Sequence, residues 1–134
     1  MRTITTHVVN PANDKITIEV MDGPGPGNAS HTYDVRLPDW MREPSDNGKT
    51  GASKGCWLLQ FQNGPIAVDG NGVNGLTHEA VLAVIIDRLQ GFQSGQYKCR
   101  ENAIALTHLE EAVLWLQKRT RDRMARGVEG THTV

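Results

Sequence analysis

From about Arg100 to Arg126 the chain runs without a glycine or a proline, and Gly127 then interrupts it. Such a stretch reads as one helix of some seven turns, about 40 Å long at 1.5 Å per residue, closed by the residue type that most often ends a helix. The chain has 134 residues, the usual size of a single domain, and the reading is one domain over 1–134. A chain this short buries a modest core and often gains from oligomerisation.

A second helix precedes the first. Thr77 is a good N-cap, and Glu79 stands in the first turn, where a carboxylate favours the helix dipole. Val81, Leu82, Val84, Ile85, Ile86 and Leu89 make it apolar over a wide arc, so it is expected to be buried inside the domain or against a partner chain. GFQSGQY, Gly91 to Tyr97, is a glycine-bounded turn, and the two helices form an α-hairpin over 76–127.

The first half, 1–62, reads as mainly β. Ile16, Ile18 and Val20 alternate with Lys15, Thr17 and Glu19, and His31, Tyr33, Val35 and Leu37 alternate with Thr32, Asp34 and Arg36, the period of strands with one buried face. The Gly- and Pro-dense DGPGPGN between them is a loop, so the pair reads as a hairpin with a long tip. Thr3 to Val9 is a further strand candidate, and Cys56 to Phe61 fits a buried strand. Pro38 to Lys54 reads as an exposed polar loop, and Asn63 to Gly75 as irregular. The fold class is α+β: an N-terminal antiparallel β-sheet followed by a C-terminal α-hairpin, in an oligomer.

Composition narrows the function. Net charge is −1, which speaks against general nucleic-acid binding, yet Lys118, Arg119, Arg121, Arg123 and Arg126 crowd the end of the last helix against Asp122 alone. On a wheel at about 100° per residue, Ala105, Leu109, Ala112 and Leu116 share a side, and the same spacing continues to Arg119, Arg123 and Arg126, with Asn102 at its edge. Arginines on a face directed at protein are costly to desolvate without anions, and guanidinium forks match phosphate oxygens. The same residues also suit a solvated helix end whose dipole they complement. Phe92 is open to two readings as well: a base-stacking platform, or the plug of the α-hairpin.

Other patterns fail inspection. Gly48-Lys49-Thr50 lacks the earlier P-loop glycine, since Glu43 stands there. DGNGVNG from Asp69 lacks the glycine and glutamate of a calcium loop, with Asn74 and Ala80 in their places. Cys56 and Cys99 have no second cysteine nearby, the five histidines are scattered, and no catalytic acid–base pair stands out. No metal, no cofactor and no catalytic residue is expected. MRTITTHVVNP has no apolar leader, and the longest apolar run, Ala80 to Ile86, is too short to span a bilayer, so the expectation is a soluble cytoplasmic protein.

The segments FQNGP, NGLTHE, DRLQGFQSG, CRENA, ALTHLEEAVLWLQKRT and RGVEGTH, spread over Phe61 to Val134, resemble the phage anti-Thoeris sponge family (Thoeris anti-defence protein, family one); DKITIEVMDGPGPGNASHTYDV is similar but less specific. The resemblance implies a phage protein acting in the cytoplasm of the infected bacterium. It would bind the glycocyclic ADP-ribose made by TIR-domain enzymes and leave it intact, so blocking Thoeris immunity. It also implies homo-oligomers from dimer to hexamer, and cyclic oligonucleotide binding at a separate site. Carried over residue by residue, the family's ligand contacts fall on Phe92, Asn102, Arg119 and Arg123, with Arg126 a further candidate. In that reading Arg119 and Arg123 meet pyrophosphate oxygens, Phe92 stacks on adenine, and Asn102 bonds a base edge or ribose. The pocket is then expected between subunits, because one thin α-hairpin cannot enclose such a ligand. Two other classes remain open: an enzyme that cleaves a cyclic nucleotide messenger, and a nucleic-acid or protein interaction module using the basic helix end.

Overall fold

The computed structural model of the chain describes residues 2–38, 55–64, 66 and 72–127. They divide into two compact units, 1–63 and 64–134. The loop expected over Pro38–Lys54 lies, Pro38 apart, outside the described residues, as does Asp69.

The first unit is a four-stranded antiparallel meander, β1 (Arg2–Ile4), β2 (Thr17–Val20), β3 (Thr32–Arg36) and β4 (Cys56–Gln60), in the order β1-β2-β3-β4. The α+β class is therefore as expected. The period-2 segments form β2 and β3, paired with Ile18 opposite Val35 and Val20 opposite Tyr33. Val20, at 1 % exposure, is the most deeply buried apolar side chain described. Tyr33 meets Phe61 edge to face, with ring centroids 5.6 Å apart. Asp34 is buried and satisfied by an ion pair with Arg36.

Two expectations need correction. The strand read over Thr3–Val9 stops at Ile4, and a helical turn, α1 (Pro11–Asp14), follows it. Asn10 caps that turn by accepting the Asn13 backbone N–H at 3.0 Å, and Pro11 supplies a preset φ at its first position. Secondly, β4 is not buried on both sides. It pairs with β3 and lies at an edge among the described residues, with Trp57 and Leu58 exposed.

The DGPGPGN loop is held by one carboxylate. Asp22 accepts the backbone N–H groups of His31 and Thr32, each at 2.9 Å at the closest, and lies 3.4 Å from His31 Nδ1. The buried His31 ring sits so close to Gly25 that a Cβ there would lie 2.4 Å from its Cε1, which fixes glycine at that position. The bond from the Thr32 N–H, chiefly, holds the Asp22 carboxyl below its ordinary 3.8; burial works against this, and His31 adds to it. A carboxyl lowered in the folded state contributes stability above its unfolded value and loses it as pH falls through the folded value. Asp22→Asn is therefore expected to melt at a lower temperature than wild type at neutral pH. The gap should close below pH 3.8, which thermal melts across an acid series would measure.

The second unit contains α2 (His78–Gln93) and α3 (Arg100–Ala125) packed on each other. Thr77 caps α2 through a bond from the Ala80 N–H at 3.1 Å. Arg126 is the C-cap of α3, and Gly127 follows with φ +73°, the left-handed conformation glycine adopts without strain. The burial expected for α2 is not reached within this chain. Leu82, Ile86 and Leu89 are half-buried, Val84 and Ile85 are exposed, and none of its residues is fully buried.

Candidate functional site

The packing seam of the hairpin follows one stripe on each helix. On α2 the half-buried residues are Glu79, Val81, Leu82, Ile86, Leu89 and Gln93; on α3 they run through Asn102, Leu106, Leu109, Ala112, Val113, Leu116 and Thr120 to the buried Arg123. Both follow the three- and four-residue spacing of a helix face. Of the stripe expected through Ala105, Leu109, Ala112, Leu116, Arg119, Arg123 and Arg126, Leu109, Ala112, Leu116 and Arg123 lie on the seam, whereas Ala105, Arg119 and Arg126 are exposed beside it. Arg123 closes the seam at 7 % exposure. Asp122, the one acidic residue between Trp115 and Arg126, is held by Lys118 at 2.6 Å.

Phe92 lies in the last turn of α2, not in a turn between the helices: the helix passes through Gly91 and ends at Gln93. The Ser94 hydroxyl bonds the Gly91 carbonyl at 2.8 Å and helps close that end. Phe92 is 38 % exposed, with the Arg88 guanidinium carbon 5.1 Å from its ring centroid. A ring so exposed does not plug the hairpin completely, and the guanidinium over it makes a cation–π contact. Asn102 lies in the first turn of α3 and is half-buried; its backbone N–H points at the Cys99 sulfur, 3.4 Å away.

Phe92 and Asn102 thus belong to the turn end of the hairpin, and Arg119, Arg123 and Arg126 to the far end of α3. From Asn102 the helix rises about 26 Å to Arg119 and about 32 Å to Arg123. Arg119 and Arg123 are one turn apart on neighbouring faces, as two forks on one phosphate group require. The five residues therefore fall in two groups at opposite ends of the hairpin, an aromatic ring and an amide at one and three guanidinium groups at the other. Among the described residues no group of three or more His, Cys, Asp or Glu side chains is placed to hold a metal ion. No described helix is long and apolar enough to cross a membrane.

Residues 59–121, from the end of β4 through most of α3, match the family described as the Acb2/Tad1 hairpin domain. Over these residues the chain is similar to that family. A curated relative, Thoeris anti-defense 1 of Bacillus phage SBSphiJ7, is 53 % identical over 74 residues, which cover 55 % of this chain and 51 % of the relative. The chain thus spans about half the length of that relative. The resemblance to an anti-Thoeris family is borne out over the hairpin. Within the Acb2/Tad1 hairpin, sequence reasoning missed Arg88 and Gln93. Arg88 could have been noticed as a cation four residues before Phe92 on one helix face; Gln93 continues the half-buried stripe of α2, but that spacing does not reveal the bonds its side chain makes.

Proposed function

We propose that the chain is a phage counter-defence protein that sequesters a glycocyclic ADP-ribose messenger in the cytoplasm of the infected bacterium and leaves it intact. The observation that carries this reading is the split of the site. A ligand of dinucleotide size cannot bridge the 26 Å or so between the two ends of one hairpin, but two copies lying antiparallel about a two-fold axis bring the Phe92–Asn102 end of each to the arginine end of the other. Each copy then supplies half of two pockets, as a self-complementary two-fold contact requires. The apolar surface of α2 at Val84 and Ile85 supplies the contact between copies, so the homo-oligomer, from dimer to hexamer, and the ligand site are one design. The sheet and the hairpin act in it as a single unit over 1–134.

In this pocket Arg119 and Arg123, with Arg126 beside them, neutralise the pyrophosphate, Phe92 stacks on the base, and Asn102 bonds its edge or a ribose hydroxyl. None of these five residues supplies a general base, which supports capture over cleavage. Cyclic oligonucleotides would occupy a separate site. Calorimetry with glycocyclic ADP-ribose, followed by heating the complex and analysing what is released, tests the reading. Tight binding with recovery of the unaltered molecule is expected. Recovery of a cleaved product would make the protein an enzyme, and absence of binding would remove the messenger as its ligand.

A further inference from the structure

We infer that Gln93 is a positioning residue for the ligand site, because its carboxamide fixes the last turn of α2, which carries Phe92, to the N-cap of α3, which leads to Asn102. The inference rests on the reading of those two residues as ligand contacts.

The Gln93 side chain makes two hydrogen bonds to one residue's backbone. Its Nε2 donates to the Cys99 carbonyl at 3.1 Å, and its Oε1 accepts the Cys99 N–H at 3.1 Å. Cys99 is fully extended, φ −150° and ψ 162°. In that conformation the N–H and C=O of one residue point to the same side, so a single planar amide can meet both. The other bonds at this end of α2 are local: the Ser94 N–H to the Gln90 carbonyl at 3.0 Å, and the Gly95 N–H to the Phe92 carbonyl at 3.3 Å. The carboxamide reaches across the six-residue separation instead and ties α2 to α3. Phe92 is its chain neighbour, and Asn102 lies one turn beyond Cys99, donating its N–H toward the Cys99 sulfur. The spacing of ring and amide thus depends on this clamp.

The clamp has a chemical requirement that a purely space-filling side chain lacks. A donor and an acceptor must lie side by side, which only a carboxamide or a protonated carboxyl provides. Asparagine is one methylene too short for the same reach. An ionised glutamate keeps the bond from the Cys99 N–H but sets a charged oxygen against the Cys99 carbonyl.

The test uses full-length Gln93→Glu, with Gln93→Ala beside it, measuring affinity for glycocyclic ADP-ribose and amide hydrogen exchange over 94–103, each relative to wild type at the same pH. At about pH 8 the glutamate, ionised there, is expected to speed exchange at Cys99 and to weaken binding about tenfold, the loss of one such bond. Toward about pH 5 and below, as the carboxyl protonates, Gln93→Glu should return toward wild type in both readouts, while Gln93→Ala stays impaired. Unchanged exchange and affinity in Gln93→Glu would overturn the inference. So would a defect equal in both variants at every pH, the mark of a merely structural role. A wild-type chain that does not bind the messenger would overturn the ligand reading and the positioning role with it. The exchange measurement, which needs no ligand, separates that outcome from failure of the clamp itself.

Discussion

Arg119→Ala is expected to weaken binding of glycocyclic ADP-ribose by roughly ten- to 150-fold, the loss of one charge-assisted hydrogen-bonding fork at about 1.5–3 kcal/mol, while the melting temperature stays close to that of wild type. The reason lies in where the side chain stands. Arg119 is exposed beside the packing seam of α3, so its removal opens no cavity and strands no buried donor. Arg123 provides the contrast. It closes that seam at 7 % exposure, so Arg123→Ala should lower binding and stability together. Calorimetry and thermal melts on the two variants separate these effects. Normal affinity in both variants would place the anion site elsewhere.

Much of this architecture was legible in the residues. Alternation marked β2 and β3, Thr77 and Gly127 marked helix ends, and the absence of glycine and proline after Cys99 marked α3. What was not legible has specific causes. The helical turn at Pro11–Asp14 depends on one cap, Asn10, in a segment too short to show a period. The apolar run of β4 could not reveal that the strand lies at a sheet edge among the described residues, since edge and central strands can share a composition. The phase of α3 was read through Ala105, Leu109, Ala112 and Leu116, of which only Ala105 is exposed, a small side chain that fixes the phase poorly. Leu106 and Val113, together with Leu109 and Leu116, set it in the structure and leave Arg119 at the margin while Arg123 is buried.

The candidate site shows the same division. Its residue types were visible from the basic helix end and from the resemblance over Phe61–Val134. Their separation follows from helix rise alone once both helices are in place. The role of Gln93 was beyond reach of such reasoning, because a bond from a side chain to the backbone six residues on, across a turn, leaves no mark in a helical or strand period. Phe92 was misplaced because Gly91 suggested a break; the helix passes through it and gains its closing bonds a few residues later, at Ser94.

If each pocket draws Phe92 from one copy and Arg119 from another, two defective variants should restore each other when mixed. Phe92→Ala and Arg119→Ala, each nearly inactive alone, are unfolded together in equal amounts and refolded so that subunits assort at random. In about a quarter of the pockets both contributing residues are then native, whatever the size of the oligomer, because the two come from independently chosen copies. Titration with glycocyclic ADP-ribose should therefore recover about a quarter of the wild-type number of sites at wild-type affinity. A mixture that binds no better than its two components would contradict the account, since it would mean that Phe92 and Arg119 of the same copy serve the same pocket, or that one of them serves none.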